Sequence, residues 1–284
     1  MKKISKNLDK TVKLWIRNNI SDYEQCDPNI FVGELSKKSS DSSSVTSHEP
    51  LAGHGFKDSI WIFEYDQNIY LGVEKDAREE IQDFLSKTHK DMIFSTYGTY
   101  ELSRITHKFG YYVWGPSWVL FAEENDWIDI KKHNVEILSS DSFNKIVDKN
   151  IFWHNDFNCL KAFVVVEKEK ILASATLTDV GNNFVEIGVD THPDSQLSGL
   201  GSTVYSAAGR WAFQNGMIPF SSVGPFNIPS TRTQINSGMK YVGVDMTGTK
   251  EFAVPPQPLG KPSPNIDVND YYPEWAKNQN ISKK

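Results

Sequence analysis

Pro193-Asp194-Ser195-Gln196-Leu197-Ser198-Gly199-Leu200-Gly201 is the stretch on which the reading of this chain turns. A strand-like run, Phe184 to Val189, leads into it, and a helix-like run, Ser202 to Gln214, leaves it. A strand that feeds a glycine turn and then a helix start presents backbone N–H groups with no partner inside the helix, at the positive end of the helix dipole. Such a place holds anionic phosphate without a basic side chain, and glycine lets the ligand approach the backbone closely. The stretch therefore points to a phosphorylated cofactor. Two common phosphate loops do not fit it. No Lys-Ser/Thr follows Gly201, as a Walker loop requires, and Ser202-Thr203-Val204 supplies no third glycine for a dinucleotide fingerprint.

Outward from this loop the pattern alternates strands and helices. In the helix, Leu200, Val204, Ala207, Ala208, Trp211 and Ala212 share one face, and Asn215-Gly216 ends it. Met217 to Val223 reads as a strand. Asn227 is placed to cap a second helix, Pro229 suits its first turn, Gly238 terminates it, and Tyr241 to Met246 reads as a last strand. Upstream, Val135 to Leu138 is a short strand and Ser142 to Val147 a helix. Phe163 to Glu167 and Ile171 to Thr178 form a hairpin about Lys168-Glu169-Lys170.

The spacing Pro193-x-x-Gln196-x-x-Gly199-x-Gly201 resembles the pyrophosphate loop of the GNAT N-acyltransferase superfamily. Asn227-x-x-Ser230 followed by Ser237-Gly238-Met239 resembles the same family's second motif, and Asp190-Thr191-His192-Pro193 is similar to a bacterial subgroup of it. The resemblance covers roughly the C-terminal half. It implies a mixed α+β and α/β fold: a GNAT-like domain with a central mixed sheet and flanking helices over residues 134–250. An N-terminal α+β domain precedes it over 1–133, with a serine-rich loop at 36–47, and a proline-rich tail follows at 251–284. The hairpin-then-helix order at 59–86 resembles a degenerate second copy of the same unit.

What the resemblance implies chemically is transfer of an acetyl or other acyl group from acetyl-CoA to an amine. Backbone N–H groups of Leu197, Ser198, Gly199, Leu200, Gly201 and Ser202, with Gln196 ahead of them, would cradle the pyrophosphate. Val189, Asp190 and Thr191 would pair with the pantetheine arm as an added strand. Asn227 and Ser230 would sit toward the thioester. One of the strand N–H groups is suited to hold the oxyanion of a tetrahedral intermediate, and proximity supplies much of the rate. Glu186 is the candidate base, although its offset from the loop differs by one residue from the family pattern, which on a strand changes the face. Asp190 and His192 are the next candidates. The family's tyrosine acid falls at Gln234, which has no acidic proton to give, and Met239 replaces an aromatic. Tyr205 and Tyr241 read as packing residues. A non-catalytic acyl-CoA-binding or interaction module is the alternative that Gln234 leaves open.

The rest of the chain bounds this reading. With 284 residues, 39% hydrophobic and 23% charged, it has the make-up of a folded protein of one or two domains. A net charge of −6 argues against nucleic acid as a partner and suits a cationic acceptor, either a small molecule or a peptide amine. Cys26 and Cys159 form no Cys-x-x-Cys pair, His48 and His54 lack partners at metal spacing, and no metal cofactor is expected. No Gly-x-Ser-x-Gly elbow occurs. The basic start, Met1 to Lys6, is not followed by an apolar run, so a cytoplasmic protein with no membrane partner is expected. Asn7 to Asn19 has helical spacing, Ser59 to Tyr65 and Ile69 to Val73 read as a hairpin, and Ala77 to Ser86 as a helix. The aromatic cluster Tyr97, Tyr100, Phe109, Tyr112, Trp114, Trp118 and Trp127 reads as sheet core.

Overall fold

The computed structural model describes residues 4–36, 56–195, 199–250, 252 and 265–266, with side chains at 56–58 excepted. The serine-rich loop beyond Ser36, Gln196, Leu197 and Ser198 of the central loop, and nearly all of the proline-rich tail lie outside the described residues.

Among the described residues, eleven strands form one mixed sheet. The N-terminal part supplies α1 (Lys6–Asn19), β1 (Ile20–Asp27), β2 (Ile30–Leu35), β3 (Phe56–Tyr65), β4 (Asn68–Val73), α2 (Lys75–Lys87), α3 (Lys90–Ile93), α4 (Thr96–Thr106) and β5 (Tyr112–Phe121). The C-terminal part supplies β6 (Glu136–Leu138), α5 (Ser140–Ile146), β7 (Lys161–Glu167), β8 (Lys170–Asp179) and β9 (Phe184–Thr191). It continues with α6 (Leu200–Gln214), β10 (Ile218–Val223), α7 (Ile228–Asn236) and β11 (Lys240–Thr249). The spatial order is β1-β2-β4-β3-β11-β5-β10-β9-β8-β7-β6. The two parts interleave at the centre. The last strand, β11, lies between β3 and β5, and β5 lies between β11 and β10. The sheet is thus continuous across the 133/134 boundary expected from the sequence.

Strand alternation sorts the core into layers. Val185 and Ile187 of β9 pack beneath α6 with Leu200, Val204, Tyr205 and Ala208. Phe184, one residue out of phase, points to the other face, where α1 lies and Trp15 packs on Phe184, Phe220 and Phe121. Leu8, Val12, Trp15 and Ile16 are fully buried, the stripe that the periodicity of Asn7 to Asn19 predicts. A separate cluster joins Ile60, Ile62, Leu71 and Val73 to Ala77, Ile81 and Leu85 of α2.

Two features depart from the sequence reading. Residues 20–35 form the hairpin β1–β2, which the sequence did not announce, because Ser21-Asp22-Tyr23-Glu24-Gln25 carries little strand propensity. Tyr97 and Tyr100 are exposed residues of α4, not part of the sheet core, and Trp127 packs on α6 instead of standing in a strand. The tail touches the body at Phe252, whose ring meets Tyr100 and Tyr112 edge-on.

Candidate active site

The site begins where β9 leaves β10. The two strands pair in parallel at Ile218↔Phe184, Pro219↔Val185 and Phe220↔Glu186, and no pairing follows. Beyond that point β10 continues to Val223 against β5, while β9 runs to Thr191 against β8 alone. The strands open into a V with Glu186 at its apex. On its β10 side, β9 from Ile187 to Thr191 has main-chain groups that the ladder does not use, a template for an amide-bearing arm.

At the mouth of the V, β9 passes through the turn Pro193–Ser195 to α6. Gly199 is the N-cap of α6, in the left-handed region at φ 79°, with no side-chain cap. The helix begins at Leu200, two residues before the sequence pattern predicts, and its first turn carries no acidic residue. The first-turn N–H groups of a helix, here those of Leu200, Gly201 and Ser202, fall outside its own hydrogen-bond ladder. A Cβ at Gly201 would come within 2.8 Å of Thr191 Oγ1, so the glycine permits the close approach of strand end and helix start.

A basic group reaches this loop from elsewhere in the chain. Segment 123–132 runs along α6 and is fastened to it at several points. Trp127 Nε1 donates to the Ser206 carbonyl (3.0 Å), and its ring stacks on Tyr205. Ser206 Oγ accepts from Ile130 N and donates to Ile128 O, both at 2.8 Å, and Arg210 Nε donates to Asp129 Oδ1 at 2.7 Å. Gly209 makes room for the indole, since a Cβ there would lie 2.0 Å from Trp127 Cζ2. The segment delivers Lys132 to the loop: a Cβ at Gly199 would stand 3.0 Å from Lys132 Cδ and 3.5 Å from its Nζ. No lysine follows Gly201 in the loop itself. The one present lies before β6, and its only sequence signal was Trp127 among polar neighbours.

On the face of β9 opposite α6, Glu186, Gly188 and Asp190 alternate with the residues that α6 covers. Segment 152–156 lies on this face, and Gly188 admits it: a Cβ there would meet His154 O at 2.4 Å. Asp190 accepts from His154 N (2.7 Å), faces His154 Nδ1 (2.6 Å) and accepts from Asn155 Nδ2 (2.9 Å). Asp190 is therefore committed to this segment. Next to it, Asp156 accepts from Asn158 N at 2.8 Å, and its carboxyl is pushed up by burial and, in smaller part, by the Glu186 charge. His192 serves the turn: its Nδ1 accepts from Asp194 N at 3.3 Å.

After β10, α7 carries a polar stripe. Asn227 Oδ1 caps the helix by accepting from Ser230 N (3.2 Å), and Ser230 Oγ accepts from Gln234 Nε2 (3.0 Å). Gln234 is buried and its Oε1 finds no partner among the described residues. Tyr205 is fully buried, its hydroxyl 2.6 Å from Ser221 Oγ and 3.1 Å from Met239 Sδ, and burial raises its pKa far above the usual phenol range. Tyr241 is partly exposed and packs edge-on against Trp118. Among the described residues no group of three or more His, Cys, Asp or Glu side chains could hold a metal ion, and no helix is long and apolar enough to cross a membrane.

Residues 127–233 match the sequence model of the acetyltransferase (GNAT) family. No curated protein matches the chain. Among solved structures, a GNAT-family protein from Novosphingobium aromaticivorans aligns at 14% identity over 49% of this chain and 66% of that one, TM-score 0.39. A GCN5-related N-acetyltransferase from Kribbella flavida aligns at 17% over 53% and 64%, TM-score 0.40. An aminoglycoside N-acetyltransferase in complex with CoA aligns at 16% over 38% of this chain and 88% of its own, TM-score 0.31. The chain spans just under two thirds of the first two proteins.

Proposed function

We propose that this chain, whose residues 127–233 match the GNAT acetyltransferase family model, transfers an acetyl or related acyl group from acyl-CoA to an amine. The observation that carries the reading is the departure of β9 from β10 beyond Glu186, continued into the uncapped, glycine-led start of α6. The residues present fit acetyl-CoA. The free edge at Val189, Asp190 and Thr191 suits the two amides of the pantetheine arm. The amides from Gly199 to Ser202 suit the pyrophosphate, with Lys132 beside them and Gln196 to Ser198 completing the loop. Asn227 and Ser230 lie on the helix next to the opening. A strand N–H near Val189 is the donor for the developing oxyanion, and Glu186 is the carboxylate at the apex.

The acceptor enters from the face on which Glu186, Asp156 and Asp190 lie, which favours a cationic amine, small or peptidic. Helix α1 borders that face through Trp15 and Phe184. This supports a part for residues 1–133 in acceptor selection. Calorimetry with acetyl-CoA, followed by thiol release over a panel of polyamines, amino sugars and peptide amines, tests the reading. Binding with turnover on at least one amine is expected, and absence of binding overturns it. Gln234 in place of an acid favours the second reading, a non-catalytic acyl-CoA-binding module, whose signature is binding without thiol release.

A further inference from the structure

His154 carries the hallmarks of an oriented base, and nothing in the loop or the second motif points to it. Its Nδ1 lies 2.6 Å from Asp190 Oδ1, and an ionised carboxylate only accepts, so the ring donates from Nδ1, which leaves the lone pair of the neutral imidazole on Nε2. Asp190 is 10% exposed and the imidazole 35%, so the carboxylate is sheltered while the ring reaches solvent. Segment 152–156 does not need the ring to stay in place, because His154 N and Asn155 Nδ2 already bond the same carboxylate. Two buried polar atoms beside the pair lack partners among the described residues. They are Asn155 Oδ1 and the hydroxyl of Ser174, which stands opposite Asp190 in the β8–β9 ladder. Buried groups of this kind are normally satisfied, and these two point to a ligand seated next to the dyad.

Resting on the acyl-transfer reading, we infer that His154, held by Asp190, takes the proton from the acceptor ammonium. The acceptor's R–NH3+ gives a proton to Nε2, and Asp190 stabilises the imidazolium. The freed lone pair forms the C–N bond at the thioester carbonyl, the C–S bond breaks, and the sulfur leaves with the electron pair. The second proton of the nitrogen passes to the sulfur, and the imidazolium proton returns to water. Glu186, about 13 Å along the same strand face from Asp190 at ~3.3 Å per residue, draws the cation in.

The titratable groups around His154 are Asp190 on β9, Asp156 on its own segment, and His192, whose ring lies beyond Phe152, with Glu186 farther along the strand. The test compares His154→Gln, Asp190→Asn and Glu186→Gln in the full chain, with acetyl-CoA and the best amine of the panel. His154→Gln is expected to keep the wild-type acetyl-CoA affinity and lose about 10²–10⁴-fold in kcat. Its defect shrinks with an aromatic amine, which is uncharged at the same pH and needs no base. Asp190→Asn is expected to lower kcat while KM for acetyl-CoA is kept, because the ring loses the carboxylate that orients it. Full turnover in His154→Gln with binding intact, or an equal loss for charged and uncharged amines, overturns the role of His154 alone. A wild-type protein that does not bind acetyl-CoA overturns the acyl-transfer reading and this role with it.

Discussion

Two strand-to-helix junctions in this chain look alike in sequence and differ in what they can do. Both begin with an apolar hairpin strand and end in an amphipathic helix. At the first, β4 is paired on both sides, with β2 and β3, and passes through Glu74 directly into α2. The start of α2 has Glu74 at its N-cap and Asp76 in the first turn, which satisfies the helix dipole with the chain's own negative charge. At the second, β9 loses β10 after Glu186, and α6 starts on Gly199 with no acidic residue in its first turn and with Lys132 over it. The first junction is closed to an anion twice over, by its pairing and by its charge. The second is open on both counts. An order of strands and helices therefore does not make a phosphate site; an unpaired edge and an uncapped helix start do.

The comparison breaks most visibly if the second junction loses its support. Trp127→Ala removes a buried indole that stacks on Tyr205 and bonds Ser206 O. It is expected to cost about 3–5 kcal/mol in denaturant unfolding. Because the segment carrying Lys132 is released as well, acetyl-CoA binding weakens beyond the stability effect.

Filling the site without disturbing the core should separate binding from folding. Gly199→Glu puts a side chain at φ 79° and a carboxylate at the anion position. Acetyl-CoA affinity is expected to fall by at least about 100-fold, roughly 3 kcal/mol, while the near-ultraviolet spectrum is kept. The matching change at the closed junction, Glu74→Gly, should create no CoA binding, because β4 has no free edge to offer.

Lys132→Ala sharpens the electrostatic part. An exposed lysine beside phosphate contributes about 0.5–1 kcal/mol, so a loss of about two- to fivefold in affinity is expected, with a shallower dependence on salt. An unchanged salt slope would remove Lys132 from the loop.

The smallest effect concerns Asp156, whose folded pKa is raised by burial. Between the unfolded and the folded pKa the native state holds more protons than the unfolded one, so stability falls as pH rises through that window. Asp156→Asn keeps an acceptor for Asn158 N and should stabilise the protein near neutrality by up to about 1 kcal/mol. The gain should fade in acid, where Asp156 is itself protonated. Thermal unfolding at both pH values reads this directly.

Much of the C-terminal half was legible because its signals are local. Asn227, Pro229 and Gly238 announced α7, Gly199 and Gly201 announced the start of α6, and alternation announced β7 to β11. What the sequence withheld depends on contacts between distant residues. Nothing local says that β5 and β11 interleave, or that Lys132 returns to Gly199. Nor does anything local bring His154 to Asp190, a contact made possible by Gly188 in a strand where a side chain would block it. Tyr97 and Tyr100 misled for the converse reason: aromatic content suggested a sheet, but Ser95 caps a helix there.

Amide hydrogen exchange with and without acetyl-CoA tests the contrast between the junctions most directly. Protection is expected at residues 187–191 and 199–202, with no change at 70–77. Protection at 70–77, or none at 187–191 and 199–202 under saturating acetyl-CoA, would contradict the account.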